Sequence, residues 1–344
     1  MKRLLILTLA LAFFLTACLS SSGDATPAPG RTGDGWVHGS TQPVLESNQT
    51  TLDGIPADPS VIKDPAGGSG YVMYYGAARG DFSDPLIRIF RATSQDGMQW
   101  TRSDRPVLEP TAGAWDSTNA ETPCVIILPD KSLRMYYSGA LDPEDERFQI
   151  GFAFSEDGIT WTKPANNPVI TRGTPGSFDS YSAMDPSVVL KDDTYYMWYM
   201  GISDAFKTAI GLAKSPDGIQ WTKVGLVLEL DSERRDPNDL GVTNPNVIWN
   251  GESFEMFYTL LGPDATAGPI FHAVSDDGEH WKKDAEPVLE RGAGGHWTAS
   301  GVSSPTVLLE KDKYLMWYAG MYTDGKSFLE GGIGYLMKPL TGIP

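Results

Sequence analysis

Three acidic residues stand at matched places in this chain. Asp58 opens DPSVI, Asp185 opens DPSVV, and Glu121 stands one place before TPCVI. The residue before the proline is Thr122 in TPCVI, Asn244 in NPNVI and Ser304 in SPTVL. Equivalent positions of a repeat come to equivalent places in a fold, so these side chains are expected to converge. Carboxyl groups gathered in a concave site push each other's pKa values apart. Such a set offers a proton donor beside a carboxylate that activates water or attacks carbon. Two plainer readings compete. Asp-Pro and Asn-Pro start strands, with Asp58 and Asp185 capping backbone amides, or the carboxylates hold a structural cation.

A second set is aromatic. Trp115, Phe178 and Trp297 sit in GAWD, GSFD and GHWT, ahead of three of the segments above. An aromatic ring stacks on the flat C–H face of a sugar as on other apolar faces, while recurrence at one repeat position also suits packing. His38, His272, His280 and His296 share no metal-ligand spacing, so no metal site is assigned.

The elements that must position these groups recur at intervals of about 60 residues. Met73, Met135, Met197, Met256 and Met316 each centre a run such as GYVMYYG or TYYMWYMG. SQDGMQW, SEDGITW, SPDGIQW and SDDGEHW, ending at Trp100, Trp161, Trp221 and Trp281, fall between them. The unit reads as four short strands: the segment after the proline, the Met-aromatic run, a segment such as IGFAFS, and the strand after the SxDGxxW turn. Asp130-Lys131, Asp192-Asp193, Asn250-Gly251 and Lys311-Asp312 supply hairpin turns. The fold class expected is all-β, a five-bladed β-propeller of four-stranded antiparallel blades. The last unit ends at GGIGYLMKP without its DGxxW strand, whereas Gly33-Asp34-Gly35-Trp36 offers one at the start. The N- and C-terminal strands should therefore share one blade and close the ring. The SxDGxxW and Met-aromatic segments are expected to be structural, the first as turns and the second as strands buried between blades.

Met1-Lys2-Arg3 followed by an apolar stretch to Leu15 reads as an export signal, residues 1–17. Leu15-Thr16-Ala17-Cys18 resembles a bacterial lipobox, which implies lipidation of Cys18; ordinary signal cleavage nearby is the alternative. Residues 18–33 then form a Ser-, Gly- and Pro-rich tether, and residues 34–344 the propeller. The chain of 344 residues is 41% hydrophobic, enough for a sizeable core, and its net charge of −17 argues against nucleic acid as a partner. Cys124, the remaining cysteine, reads as a small hydrophobe.

These motifs resemble the arabinanase, levansucrase and invertase superfamily of five-bladed propellers, which includes glycoside hydrolase families 43, 32, 68 and 130. The resemblance covers residues 36–337. It implies a base or nucleophile on blade one, a tuning aspartate on blade three and an acid on blade four. Asp58 and Asp185 match the first two. Blade four reads Val242-Thr243-Asn244-Pro245, with Thr243 where the acid would stand, and Glu121-Thr122-Pro123 partly matches the E-D-P of family 130. The expectation is an extracytoplasmic, lipid-anchored monomer that cleaves glycosidic bonds of an oligo- or polysaccharide without a cofactor. Glu121 would be the acid, Asp58 the base and Asp185 the tuning group, with Asn244, Ser304, Trp115, Phe178 and Trp297 contacting substrate. A non-catalytic glycan-binding lipoprotein is the rival reading.

Overall fold

The computed structural model describes residues 32–33, 35–48, 50–80, 83–142, 147–231, 239–324 and 328–340. Cys18, the signal and most of the tether lie outside them. The described chain is all-β and propeller-like, a succession of antiparallel meanders. The first runs Ile55–Lys63, Tyr71–Ala78, Arg88–Ser94 and Thr101–Arg102; the second Asn119–Ile127, Leu133–Ala140 and Gln149–Ser155. The third runs Ser182–Lys191, Thr194–Ile202, Thr208–Ser215 and Thr222–Leu228; the fourth Gly241–Trp249, Phe254–Leu261, Ala267–Ser275 and Lys282–Lys283. The last runs Gly301–Leu309, Lys313–Thr323 and Phe328–Pro339. Its outer strand pairs with the N-terminal segment, Val37 opposite Met337 and Leu45 opposite Ile333, so the two ends of the chain share a sheet as expected.

The second strand of each meander is a continuous apolar run because it is covered on both faces. Met73, Met135, Met197, Met256 and Met316 are fully buried. The SxDGxxW turns fold on themselves. Gly97 N–H donates to Ser94 Oγ, and Asp96 Oδ1 accepts from the amides of Met98 and Gln99. Each turn also clasps the preceding meander. Tyr74 Oη donates to Gly158 O, Tyr136 Oη to Gly218 O, and Trp198 Nε1 to Gly278 O. Trp317 of the last meander donates to Gly97 O of the first at 2.8 Å. Between the fourth and the last, Phe257 instead meets Trp36 edge-to-face.

The inner strands differ from expectation. They begin at Ile55, Asn119, Ser182, Gly241 and Gly301, so the residues before proline lie inside the strands. Each inner strand shifts register there, between Ala57 and Ser60 in the first meander and between Met184 and Ser187 in the third. The cause is the backbone of the residue before proline. Asp58 (φ 50°), Thr122 (47°), Asp185 (52°), Asn244 (48°) and Ser304 (50°) are all left-handed. Proline disfavours the right-handed helical region for its predecessor. A left-handed residue there makes a β-bulge that re-aims its side chain while the ladder continues beyond it.

The residue after each proline bonds the next inner strand. Ser60 Oγ accepts from Val125 N–H, Cys124 Sγ from Val188 N–H, and Ser187 Oγ from Val247 N–H. Asn246 Oδ1 accepts from Val307 N–H, and Thr306 Oγ1 from Val61 N–H. The last bond returns to the first inner strand. Cys124 is thus one of these acceptors, half-buried on the channel wall, and burial raises its thiol to about 11.

Candidate active site

The bulged residues converge. Asp58, Thr122, Asp185, Asn244 and Ser304 line one cavity that continues down the channel past Ser60, Cys124, Asn246 and Thr306. The same five side chains border a second space toward the strand-start end, with Met184, Thr243, Leu261 and Ala267. The two aspartates therefore stand where the channel meets its mouth.

Their environments differ in useful ways. Asp58 Oδ1 accepts from Ser304 Oγ at 2.6 Å. Burial pushes the Asp58 carboxyl up to about 6 against that hydrogen bond. Asp185 is 6% exposed. Its Oδ2 accepts from Asn244 Nδ2 at 2.8 Å and from Thr243 Oγ1 at 3.3 Å, whereas its buried Oδ1 has no hydrogen-bond partner. Burial first, and the Asp58 charge second, push Asp185 up to about 7. Thr243 and Asn244, where the resemblance places an acid, are thus donors to Asp185. Ser138 holds the wall from behind, joined to Thr122 Oγ1 and accepting from Asp185 N–H at 3.0 Å.

Glu121 is placed differently. It is 1% exposed, takes a hydrogen bond from Asn119 Nδ2 at 3.3 Å, and is not among the residues lining either space. It remains a neighbour of the site: the open face of Gly76 is flanked by both Glu121 Cβ and Asp58 Oδ2.

The three aromatics are not brought to the channel either. Trp115 lies over Gly139 and Gly151 and beside Tyr137, and Phe178 lies over Gly201 and Gly211 beside Tyr199. Trp297 is 3% exposed and covers Gly320 beside Tyr318. The missing side chain of each glycine makes the slot the ring fills, so the recurring motif is a packing device. The acid after the aromatic is part of it. Asp116 accepts from Tyr137 Oη and pairs with Lys163, and Asp179 does the same with Tyr199 and Lys223.

Among the described residues no group of three or more His, Cys, Asp or Glu side chains is arranged to hold a metal ion. A separate cavity of about 340 Å³ lies between the fourth and last meanders, lined by Glu255, His272, Asp284 and Tyr314 among others. There His272 joins Glu255 at 3.1 Å and Asp284 at 2.9 Å, and Tyr314 Oη donates to Glu255. These groups answer one another, which marks a structural network rather than an open site.

The chain is similar to known proteins in sequence and in fold. It is 28% identical over 226 residues to a 1,2-beta-oligomannan phosphorylase of Thermoanaerobacter sp. (strain X514), covering 63% of this chain and 70% of that one. A solved structure described as a glycoside hydrolase superposes with a TM-score of 0.69 at 14% identity, over 88% of this chain and 92% of the other. A structure reported with the GH130 mannoside phosphorylases and hydrolases superposes with a TM-score of 0.65 at 17% identity, over 92% and 96%. Both share the fold. Residues 57–238, which carry Asp58, Glu121 and Asp185, match the family model of the glycosyl hydrolases family 32 N-terminal domain, and it is to this family that the chain belongs.

Proposed function

We propose that this protein is an exported, lipid-anchored five-bladed propeller that hydrolyses glycosidic bonds at the channel mouth with Asp58 and Asp185. The observation that carries the reading is the buried pair itself. Two carboxyls share one concavity, burial holds both well above the ordinary range, and one oxygen of Asp185 is left without a partner. A carboxyl that titrates near 7 is about half protonated at neutral pH, whereas one near 6 is mostly ionised, so the pair offers a proton donor beside a proton acceptor. Asp185 gives its proton to the leaving glycosidic oxygen as the C–O bond breaks. Asp58 takes a proton from the water whose oxygen attacks the anomeric carbon. The proton-donor role expected of Glu121 falls to Asp185, because Asp185 lines the channel and Glu121 does not. Glu121 is the third carboxyl, a positioning residue whose Cβ lies with Asp58 Oδ2 against Gly76. The closed five-bladed ring is supported by the cycle of bonds among the inner strands and by the terminal strand pairing. The anchor rests on Leu15 to Cys18.

The test is turnover on nitrophenyl glycosides and on mannan, arabinan and levan oligosaccharides. Asp58→Asn and Asp185→Asn should each reduce it about 10²–10⁴-fold, while Glu121→Gln should shift its pH profile. Unchanged turnover in either aspartate variant removes that residue from the chemistry. Thr243 and Asn244 favour a second reading, a glycan-binding propeller without catalysis. It prevails if the wild-type protein binds a saccharide in calorimetry and cleaves none.

A further inference from the structure

We infer that Phe206, backed by Tyr181, is an aromatic platform that stacks a sugar ring of a bound oligosaccharide beyond the channel mouth. The inference rests on the saccharide reading of the channel and extends it to chain length. Phe206 belongs to the turn between Thr194–Ile202 and Thr208–Ser215 of the third meander. In the fourth meander the ends of the equivalent strands, Leu261 and Ala267, border the mouth. Thr208 bridges to Gly241 beside them, so the Phe206 turn rises from the same end of the fold. Tyr181 stands just before the inner strand Ser182–Lys191 and four residues before Asp185, about 13 Å of extended chain. That distance calls for an oligosaccharide rather than a single ring.

The turn is closed as its counterpart in the fourth meander is, Ser203 N–H donating to Lys207 O as Gly262 N–H does to Thr266 O, but Ala265 stands there where this turn carries a large exposed ring. Phe206 is 52% exposed and its φ is 56°. A bulky aromatic enters the left-handed region only under constraint, where Gly or Asn would sit freely. The constraint is visible. Phe206 N–H donates to Ser203 O and Ser203 N–H to Lys207 O. Lys207 Nζ donates to Asp239 O and Asp204 N–H to Ser180 Oγ. The ring centroid lies 4.9 Å from that of Tyr181, with Arg147 over the Tyr181 ring. A strained, pinned and half-open ring beside a binding mouth is what a stacking platform requires.

Calorimetry with mannan, arabinan and levan oligosaccharides of one to four units tests this on the full chain. Phe206→Ala and Phe206→Asn should weaken tetrasaccharide binding about tenfold and leave the monosaccharide unchanged. Phe206→Trp should keep the affinity. Phe206→Asn should also melt no lower than the wild type, because asparagine relieves the strain. Equal tetrasaccharide affinity in wild type and Phe206→Asn overturns the platform, and so does a wild-type protein that binds none of these sugars. Binding that depends on Phe206 in a protein that cleaves nothing keeps the platform and discards the hydrolytic reading.

Discussion

Asp185→Asn should make the folded protein more stable at pH 8, and the gain should vanish toward pH 4. The carboxyl rises from 3.8 to about 7 on folding, chiefly by burial and then by the Asp58 charge. A rise of about three units at 1.36 kcal/mol each sets a ceiling of about 4 kcal/mol. The sign follows from proton binding. Between pH 4 and 7 the folded chain holds a proton that the unfolded chain releases, so stability falls as pH rises through that window. Above pH 7 the whole cost is present. Asparagine fills the same volume and accepts from Asn244, but it carries no charge to desolvate. It does not recover the ceiling in full, because its amide stays buried where Asp185 Oδ1 has no hydrogen-bond partner. The expected gain is about 1–3 kcal/mol at pH 8. Urea unfolding of wild type and variant at pH 4, 6 and 8 measures it as a shift in midpoint. A gain that is equal at all three values, or a variant less stable at pH 8, would refute the account of a buried, uncompensated carboxyl.

The other predictions concern packing, the ring and the anchor. Trp297→Ala should cost about 3–5 kcal/mol in chemical unfolding, because Trp297 is buried over Gly320; saccharide affinity should stay the same, and a loss of affinity in the folded variant would return Trp297 to the binding site. Ser187→Ala leaves the buried Val247 N–H without its acceptor and should cost about 1–3 kcal/mol, read as a lower melting temperature with m-value unchanged. Cys18→Ser should move the protein from the membrane fraction to the soluble extracytoplasmic one, and unchanged fractionation would rule out Cys18 as the anchor.

Much of this architecture could be read before any coordinates. The 60-residue period and the SxDGxxW segments led directly to the meanders, and the truncated last unit led to the pairing of Val37 with Met337. Convergence of Asp58, Thr122, Asp185, Asn244 and Ser304 followed from their equivalence. What stayed hidden depended on backbone angle and burial. Asp-Pro read as a strand start because nothing in the letters marks a left-handed residue, so the bulge went unseen. Glu121 and Thr122 are adjacent, and the bulge at Thr122 decides that Thr122 lines the channel while Glu121 does not. Trp115 and Phe178 were legible as a set, but their choice between sugar and packing turned on Gly139 and Gly201, glycines of a neighbouring strand that receive the rings. Phe206 stands in a turn where the fourth meander has Ala265, so no recurring residue type pointed to it.

One signal was present and unread. The residue after each proline is Ser60, Cys124, Ser187, Asn246 or Thr306, every one able to accept a hydrogen bond, at a place in the repeat where an apolar strand would otherwise be expected. Read with the residue before the proline, it explains how the fold can afford its site. Five left-handed non-glycine residues cost of order 1–3 kcal/mol each, and Thr122 is β-branched, the least tolerant type. Such strain persists only where the surroundings over-determine the backbone. Here the next residue but one in each strand is held by a bond to the neighbouring strand, and each such bond closes on the next until Thr306 meets Val61. Proline divides the work between its neighbours: the residue before it is turned into the channel, and the residue after it bonds one inner strand to the next. Substitution before the proline should therefore alter function at little cost in stability, as at Asp185, and substitution after it should do the reverse, as at Ser187.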